Sequence, residues 1–322
     1  MHFPTIADVL EARQVVYQHL KPTPLQSYLG VNELVGTDVW LKHENHHPLG
    51  AFKVRGGLNF ISHLSTEERA KGVVTASTGN HGQSIAYAGK VYGVRPTIVM
   101  PEGSNPNKVA SMRRLGAELV FFGKVFDECR AYCEALVKER GARYVHPANE
   151  PLLIAGVATY SLEILEDLPQ TDVIFVPMGG GSGAAGACIV AKALNPKVKV
   201  IAVQSQEAPA GYQSWKERRI VERPNATFAE GIATGSGYEL TQEILWRYLD
   251  DFVLVSDHEI KQAIVHLLER AHTLAEGAGA APLAAAIKLR NQLQGKRVVC
   301  VVSGGNISLA QLMDVLASAG TL

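Results

Sequence analysis

The sequence predicts an α/β protein made of two doubly wound domains with parallel-type sheets. Three observations predict it. Short apolar segments alternate with stretches of helical periodicity. Several of those segments are apolar on both faces, as strands are when helices cover both sides of a sheet. The rhythm also runs twice, from Gly72 to about Val145 and again from Val173 onward.

The elements follow in order. Thr5-Ile6-Ala7-Asp8 reads as a capping box opening a helix through about His19, which Lys21-Pro22-Thr23-Pro24 breaks. Val39-Trp40-Leu41-Lys42 reads as a strand. Gly72-Val73-Val74-Thr75-Ala76 is a second, with a helix from about His81. Pro96 to Pro101 is a third, with a helix from about Asn107 to Leu115. Glu118 to Phe122 is a fourth, with a helix through Cys129 and Cys133 to about Arg140, and Arg143-Tyr144-Val145 is a short fifth. In the second half, strands are expected at Val173–Val176, Lys199–Val203 and Arg297–Val302. Ile260, Ala263, Ile264, Leu267, Leu268 and Ala271 fall on one helix face.

The 322 residues are 47% hydrophobic and 19% charged, enough for one large core or two of ordinary size. Formal net charge is zero and no long basic run occurs, which argues against nucleic-acid and anionic-membrane partners. No apolar stretch suits a membrane span, and Met1-His2-Phe3-Pro4 shows no signal peptide. Cys129, Cys133, Cys188 and Cys300 lack Cys/His partners at zinc spacing. They read as buried thiols in a reducing cytoplasm.

Four segments carry chemistry. Lys53 follows a Pro/Gly turn and precedes a helical run. A lysine at such a junction, in partly apolar surroundings, can lose its proton and act as a nucleophile, although most lysines are simply solvated. Gly179-Gly180-Gly181-Ser182-Gly183-Ala184-Ala185-Gly186 follows a strand and opens a helix. Backbone N–H groups there suit a phosphate. The stretch also holds a literal G-x-G-x-x-G, but the next strand ends Val203-Gln204-Ser205-Gln206 without the acid a dinucleotide ribose needs. Ser77-Thr78-Gly79-Asn80-His81 sits at another strand-to-helix turn. It suits a carboxylate, and Ser77 or Thr78 equally suits an N-cap. Nothing in the adjacent sequence orients His81, which reads as structural. Ser303-Gly304-Gly305-Asn306 closes the last strand. Ligands of open α/β sheets bind beyond the carboxyl ends of strands, where all four segments fall. A phosphate cradle with one activatable lysine suggests pyridoxal phosphate.

In this combination and order the motifs resemble the serine/threonine dehydratase branch of the fold-type II pyridoxal-phosphate enzymes, which also contains serine racemases. The resemblance runs from Lys21-Pro22-Thr23-Pro24-Leu25 to Ser303-Gly304-Gly305-Asn306. It implies a large domain of residues 1–53 and 148–322, with a small domain of residues 54–147 inserted. It implies that Lys53 is the Schiff-base lysine and the base at Cα. Asn80 would bond the cofactor's ring hydroxyl. Gly179, Gly180, Gly181, Ser182 and Gly183 would hold its phosphate, Glu276 would line the ring, and Ser303 would face the pyridine nitrogen. Ser77, Thr78, Gly79, Asn80 and His81 would form the substrate-carboxylate loop, with Thr78 at the position where racemases keep an acid/base hydroxyl.

The expected activity is elimination of water from a β-hydroxy amino acid such as L-threonine or L-serine. Hydroxyaspartate, phenylserine or racemisation are alternatives, and a non-enzymatic binding protein is the different-class rival. The chain departs from the family at Ala51, His46-His47, Ser182 and Glu230-Gly231. The first two lie beside the lysine and bear on the substrate. Cysteine synthases of this fold normally follow the lysine with Asp-Arg, where this chain has Val54-Arg55. The resemblance further implies a homodimer or tetramer and a possible divalent cation, for which Glu230 is a candidate ligand. With the chain ending at Leu322, it implies no effector domain and no isoleucine feedback.

Overall fold

In a computed structural model, residues 3–104, 106–124 and 126–318 are described. Met1-His2 and the chain end at Leu322, on which two of the expectations rest, lie outside them. The helices are α1 (Ile6–Val16), α2 (Leu29–Val35), α3 (Lys53–Ser62), α4 (Thr66–Lys71), α5 (Asn80–Tyr92), α6 (Pro106–Arg114), α7 (Phe126–Arg140), α8 (Pro151–Asp167), α9 (Ser182–Leu194), α10 (Ala210–Glu217), α11 (Glu239–Tyr248), α12 (Asp257–Ala271), α13 (Gly277–Lys288) and α14 (Leu309–Ser318). The strands are β1 (Leu25–Ser27), β2 (Asp38–His43), β3 (Val73–Ala76), β4 (Pro96–Met100), β5 (Glu118–Phe121), β6 (Arg143–Tyr144), β7 (Val173–Pro177), β8 (Lys199–Ser205), β9 (Asp251–Val255) and β10 (Arg297–Val302).

They form two sheets. One runs β1-β2-β10-β7-β8-β9, the other β5-β4-β3-β6. All pairings are parallel except β1 with β2, an antiparallel edge that the parallel-sheet expectation did not contain. Alternation along the strands shows how helices wind both faces. Val173, Phe175, Ile201, Val203, Val298 and Cys300 pack toward α12 and α13. Ile174, Val176, Val200, Ala202, Val299 and Val301 pack toward α8, α9 and α11. The smaller sheet divides likewise, with Val74, Ala76 and Val99 against α7 and Val73 in the core with α3 and α5.

The α1 capping box forms as read, with Thr5 accepting from the Asp8 amide. The helix stops at Val16 rather than His19, and Tyr17 is its C-cap.

Two features fix α3, the helix that begins with Lys53. First, it meets α8 through glycines. A Cβ on Gly156 would lie 2.7 Å from the Arg55 carbonyl oxygen and 2.8 Å from the Gly56 Cα, so only glycine permits this approach. Second, Arg55 anchors a buried ion cluster. Its guanidinium donates to both Glu44 oxygens at 2.8 and 2.9 Å and to both Glu163 oxygens at 2.6 and 2.9 Å. Lys42 adds a 2.6 Å bond to Glu163. Two cations and two anions, all buried, thus tie β2, α3 and α8 together. Burial alone would raise the Glu44 carboxyl, but Arg55 and then His47 hold it well below its usual range.

Candidate active site

The end of the β2–α3 connection is sewn to the end of β10. The Phe52 amide donates to the Ser303 carbonyl at 3.0 Å, the Gly305 amide to the Gly50 carbonyl at 2.9 Å, and Ala51 bridges Gly304. This brings Lys53 beside Ser303 although 250 residues separate them in the chain. The Lys53 carbonyl accepts from the Ser84 hydroxyl at 2.6 Å, which fixes its backbone against α5. Its Nζ lies 5.1 Å from the centre of the Phe52 ring and donates to the Ser182 hydroxyl at 2.7 Å. Burial lowers the amine from its ordinary value to about 8.

Ser182 is the first residue of α9. Gly181 before it has φ +91°, a left-handed conformation that glycine adopts without strain. A Cβ on Gly179 would stand 2.3 Å from the Gly231 carbonyl oxygen. Among the described residues no side chain caps α9, so its first-turn N–H groups keep their capacity for an anion.

On the facing sheet, Ser77 directly follows β3. Its hydroxyl accepts from the amides of Gly79 at 3.2 Å and Gly82 at 2.8 Å. The N-cap position of α5 is Gly79, not Ser77 or Thr78, yet Ser77 still satisfies a first-turn amide as a cap would. The Ser77 O–H proton remains free to donate. The expectation that nothing orients His81 is corrected, because its Nε2 lies 3.0 Å from the Thr75 hydroxyl. That hydroxyl gives its single proton to the Val145 carbonyl, so a neutral His81 must donate from Nε2. Burial, followed by the Lys53 charge, lowers the imidazole to about 3 and keeps it neutral.

Asn80 is held from both ends. Its amide donates to Glu276 at 2.8 Å and its oxygen accepts from Asn306 at 2.7 Å. Glu276 occupies the N-cap position of α13 without a side-chain capping bond, and burial raises its carboxyl to about 7. Lys53, Ser77, Thr78, Gly79, Asn80, His81, the Gly179–Gly183 loop, Glu276 and Ser303 all line one cavity of about 1200 Å³. Glu230 lines it too, but not as a lone solvated carboxylate: it is paired with Lys108 and accepts from Gln311 at 3.2 Å. Among the described residues no cluster of three His, Cys, Asp or Glu is placed to hold a metal. Sequence reasoning gave no role to Phe52, Ser84, Lys108, Arg130, His146 or Tyr238. All but Ser84 line the cavity. Asn306 stood within a quoted motif, and only its contact with Asn80 reveals its task.

The residues fit pyridoxal phosphate. A lysine amine reaches the first turn of an uncapped, glycine-cradled helix, and a buried serine stands at the end of β10.

Comparison with known proteins agrees. The family of pyridoxal-phosphate dependent enzymes matches residues 16–304. An L-threonine ammonia-lyase of Thermotoga maritima is 40% identical over 315 residues, 97% of this chain and 78% of that one. The threonine deaminase isoform 2 of Solanum lycopersicum superposes with a TM-score of 0.93 at 32% identity, covering 98% and 92% of the two chains. Maize serine racemase superposes with a TM-score of 0.92 at 30% identity, covering 98% of each. The chain belongs to the pyridoxal-phosphate dependent enzymes.

Proposed function

We propose that this protein eliminates water from a β-hydroxy amino acid, L-threonine or L-serine, to give a 2-keto acid and ammonia. The observation that carries this reading is the placement of Lys53 Nζ against the phosphate-type helix start, in one cavity with Ser303 and the Ser77–His81 turn. The threonine ammonia-lyase and deaminase relatives support the substrate class.

Pyridoxal phosphate, when bound, supplies an aldehyde that condenses with amines and a ring that draws electrons from the substrate Cα. The Ser77 O–H and the turn's backbone amides hold the substrate carboxylate. Lys53 takes the Cα proton on Nζ, for which an amine near pH 8 is well matched. Ser303 would offer a hydroxyl and not a carboxylate to the ring nitrogen, which would leave that nitrogen without an anion to keep it protonated. With the cofactor bound, this would favour elimination of the β-hydroxyl as water over transamination. Asn80, clamped by Glu276 and Asn306, would hold the cofactor's ring hydroxyl with a fixed amide. Keto acid and ammonia are to be assayed over L- and D-serine, threonine, 3-hydroxyaspartate and phenylserine with added cofactor. Lys53→Ala is expected to abolish release, and full turnover in that variant would sink the assignment.

Thr78 lines the cavity, which supports slow racemisation as a second activity. Chiral chromatography of L-serine incubations tests it, and a complete lack of D-serine would dispose of it.

Domain limits at 53/54 and 147/148 are supported by the two sheets drawing on separate stretches of chain. Four free, buried cysteines support a reducing, cytoplasmic setting. No helix among the described residues is long and apolar enough to cross a membrane. Self-association is supported by α14, where Leu309 is 79% and Met313 70% exposed on one face. Sedimentation should show a dimer or larger that Met313→Glu weakens. A divalent cation at Glu230 would have to displace Lys108, and unchanged activity after chelation would exclude it.

A further inference from the structure

The contact between Lys53 and Ser182 has no counterpart in an all-glycine loop. Ser182 is buried, and its hydroxyl oxygen accepts from Nζ at 2.7 Å. The same Nζ stands over the Phe52 ring, 5.1 Å from its centre, and that ring packs beside Gly183, where a Cβ would come within 3.3 Å of it. The Tyr160 hydroxyl donates to the Gly183 carbonyl at 2.9 Å and steadies the same turn. A side chain with four rotatable bonds is thereby held in one direction by contacts of the protein itself. We propose that Ser182 is a positioning residue for Lys53: its hydroxyl fixes Nζ over the first turn of α9, so that capture of the cofactor aldehyde depends on this side chain.

The reasoning rests on the reading of this protein as a pyridoxal-phosphate enzyme. Capture joins Nζ to the aldehyde carbon, and the aldehyde oxygen leaves as water with the two amine protons. The rate depends on the fraction of free amine and on its aim. Ser182 acts on both. As an acceptor it favours the ammonium, and as a fixed partner it restricts where Nζ points. The phosphate contact is separable from this role. The Ser182 backbone N–H survives in Ser182→Ala, so that variant removes the hydroxyl and leaves the amide cradle in place.

The experiment follows linkage formation by absorbance, mixing apoprotein with pyridoxal phosphate or with pyridoxal, which has the same aldehyde and no phosphate. It is run from pH 6 to 10 on wild type, Ser182→Ala and Ser182→Thr, with thermal melts to establish folding. The high-pH plateau reports aim, and the midpoint reports the charge on Lys53. For Ser182→Ala the plateau is expected to fall about fivefold with both aldehydes, the equivalent of one hydrogen bond. The midpoint is expected to move below that of wild type, and Ser182→Thr should restore most of the rate. A Ser182→Ala plateau within twofold of wild type for pyridoxal overturns the proposal. A loss confined to pyridoxal phosphate also overturns it, because it assigns the side chain to the phosphate. Failure of the wild type to form the linkage would instead overturn the cofactor reading itself.

Discussion

Burial moves Lys53 and Glu276 toward neutrality from opposite ends of the pH scale. At about 8, roughly one Lys53 in ten is a free amine at pH 7, against fewer than one in a thousand for a solvated lysine. Glu276 has the opposite linkage. Its folded value, about 7, lies above its ordinary 4.5, so the folded protein holds a proton that the unfolded chain has lost. Stability from this group is fully present below about pH 4.5 and declines as pH rises through about 7. Relative to wild type, apo Glu276→Gln should therefore be more stable at pH 8 than at pH 5, by roughly 1–2 kcal/mol after allowance for the open cavity. Urea titrations at the two pH values check this, and equal differences would show that Glu276 is ordinarily ionised. The sequence allowed a deprotonated Lys53 but gave no sign of the raised Glu276. Lys53 was legible by its place before a helix, whereas Glu276 gained meaning only from the family segment and, in space, from Asn80.

At the scale of elements, the contact of α3 with α8 decides where the nucleophile stands. Gly156→Ala puts a methyl into the backbone of Arg55 and Gly56. The expected cost is about 1–3 kcal/mol of stability, with a fall in turnover because the displaced helix carries Lys53. Denaturant unfolding and steady-state rates together test it. The ion cluster gives a second expectation. Arg55→Met leaves Glu44 and Glu163 with Lys42 and His47 as their charged partners among the described residues, and should cost about 3–5 kcal/mol at pH 7. Because Glu44 is held below its ordinary 4.5, the stability it contributes is present above that pH and is lost as pH falls through its lower folded value. The gap between wild type and Arg55→Met should therefore narrow in acid. A gap constant down to pH 3 would show that the cluster is held by packing and not by charge. Short apolar strands such as β3, β4, β7 and β10 were legible as elements. The three-residue β1 was not, because it lacks a periodicity of its own and exists by pairing Leu25–Ser27 against Trp40–Lys42.

For the whole molecule, the cleft joins side chains from both sheets. A ligand that touches the α9 start, Lys53 and Asn80 together binds the folded state alone. Pyridoxal phosphate at a hundred times its Kd should thus raise unfolding free energy by about 2.7 kcal/mol. Lys53→Ala should retain only the share that comes from the phosphate. Thermal shift of the two apoproteins measures both, and an equal shift would mean that the lysine adds nothing to cofactor retention.

The sequence by itself determined the alternation of strands and helices, the apolar faces that make the strands internal, and the four turns that carry reactive groups. These are local properties, written in periodicity and in the backbone freedom of glycine. Tertiary structure alone decided that Ser303 lies beside Phe52, that Ser182 meets Lys53, that Thr75 orients His81, and that Lys108 occupies Glu230. Each of these joins elements by distance in space. The close approach of α3 to α8 and the parallel register of β10 between β2 and β7 set the first two of those distances, and no local pattern encodes them.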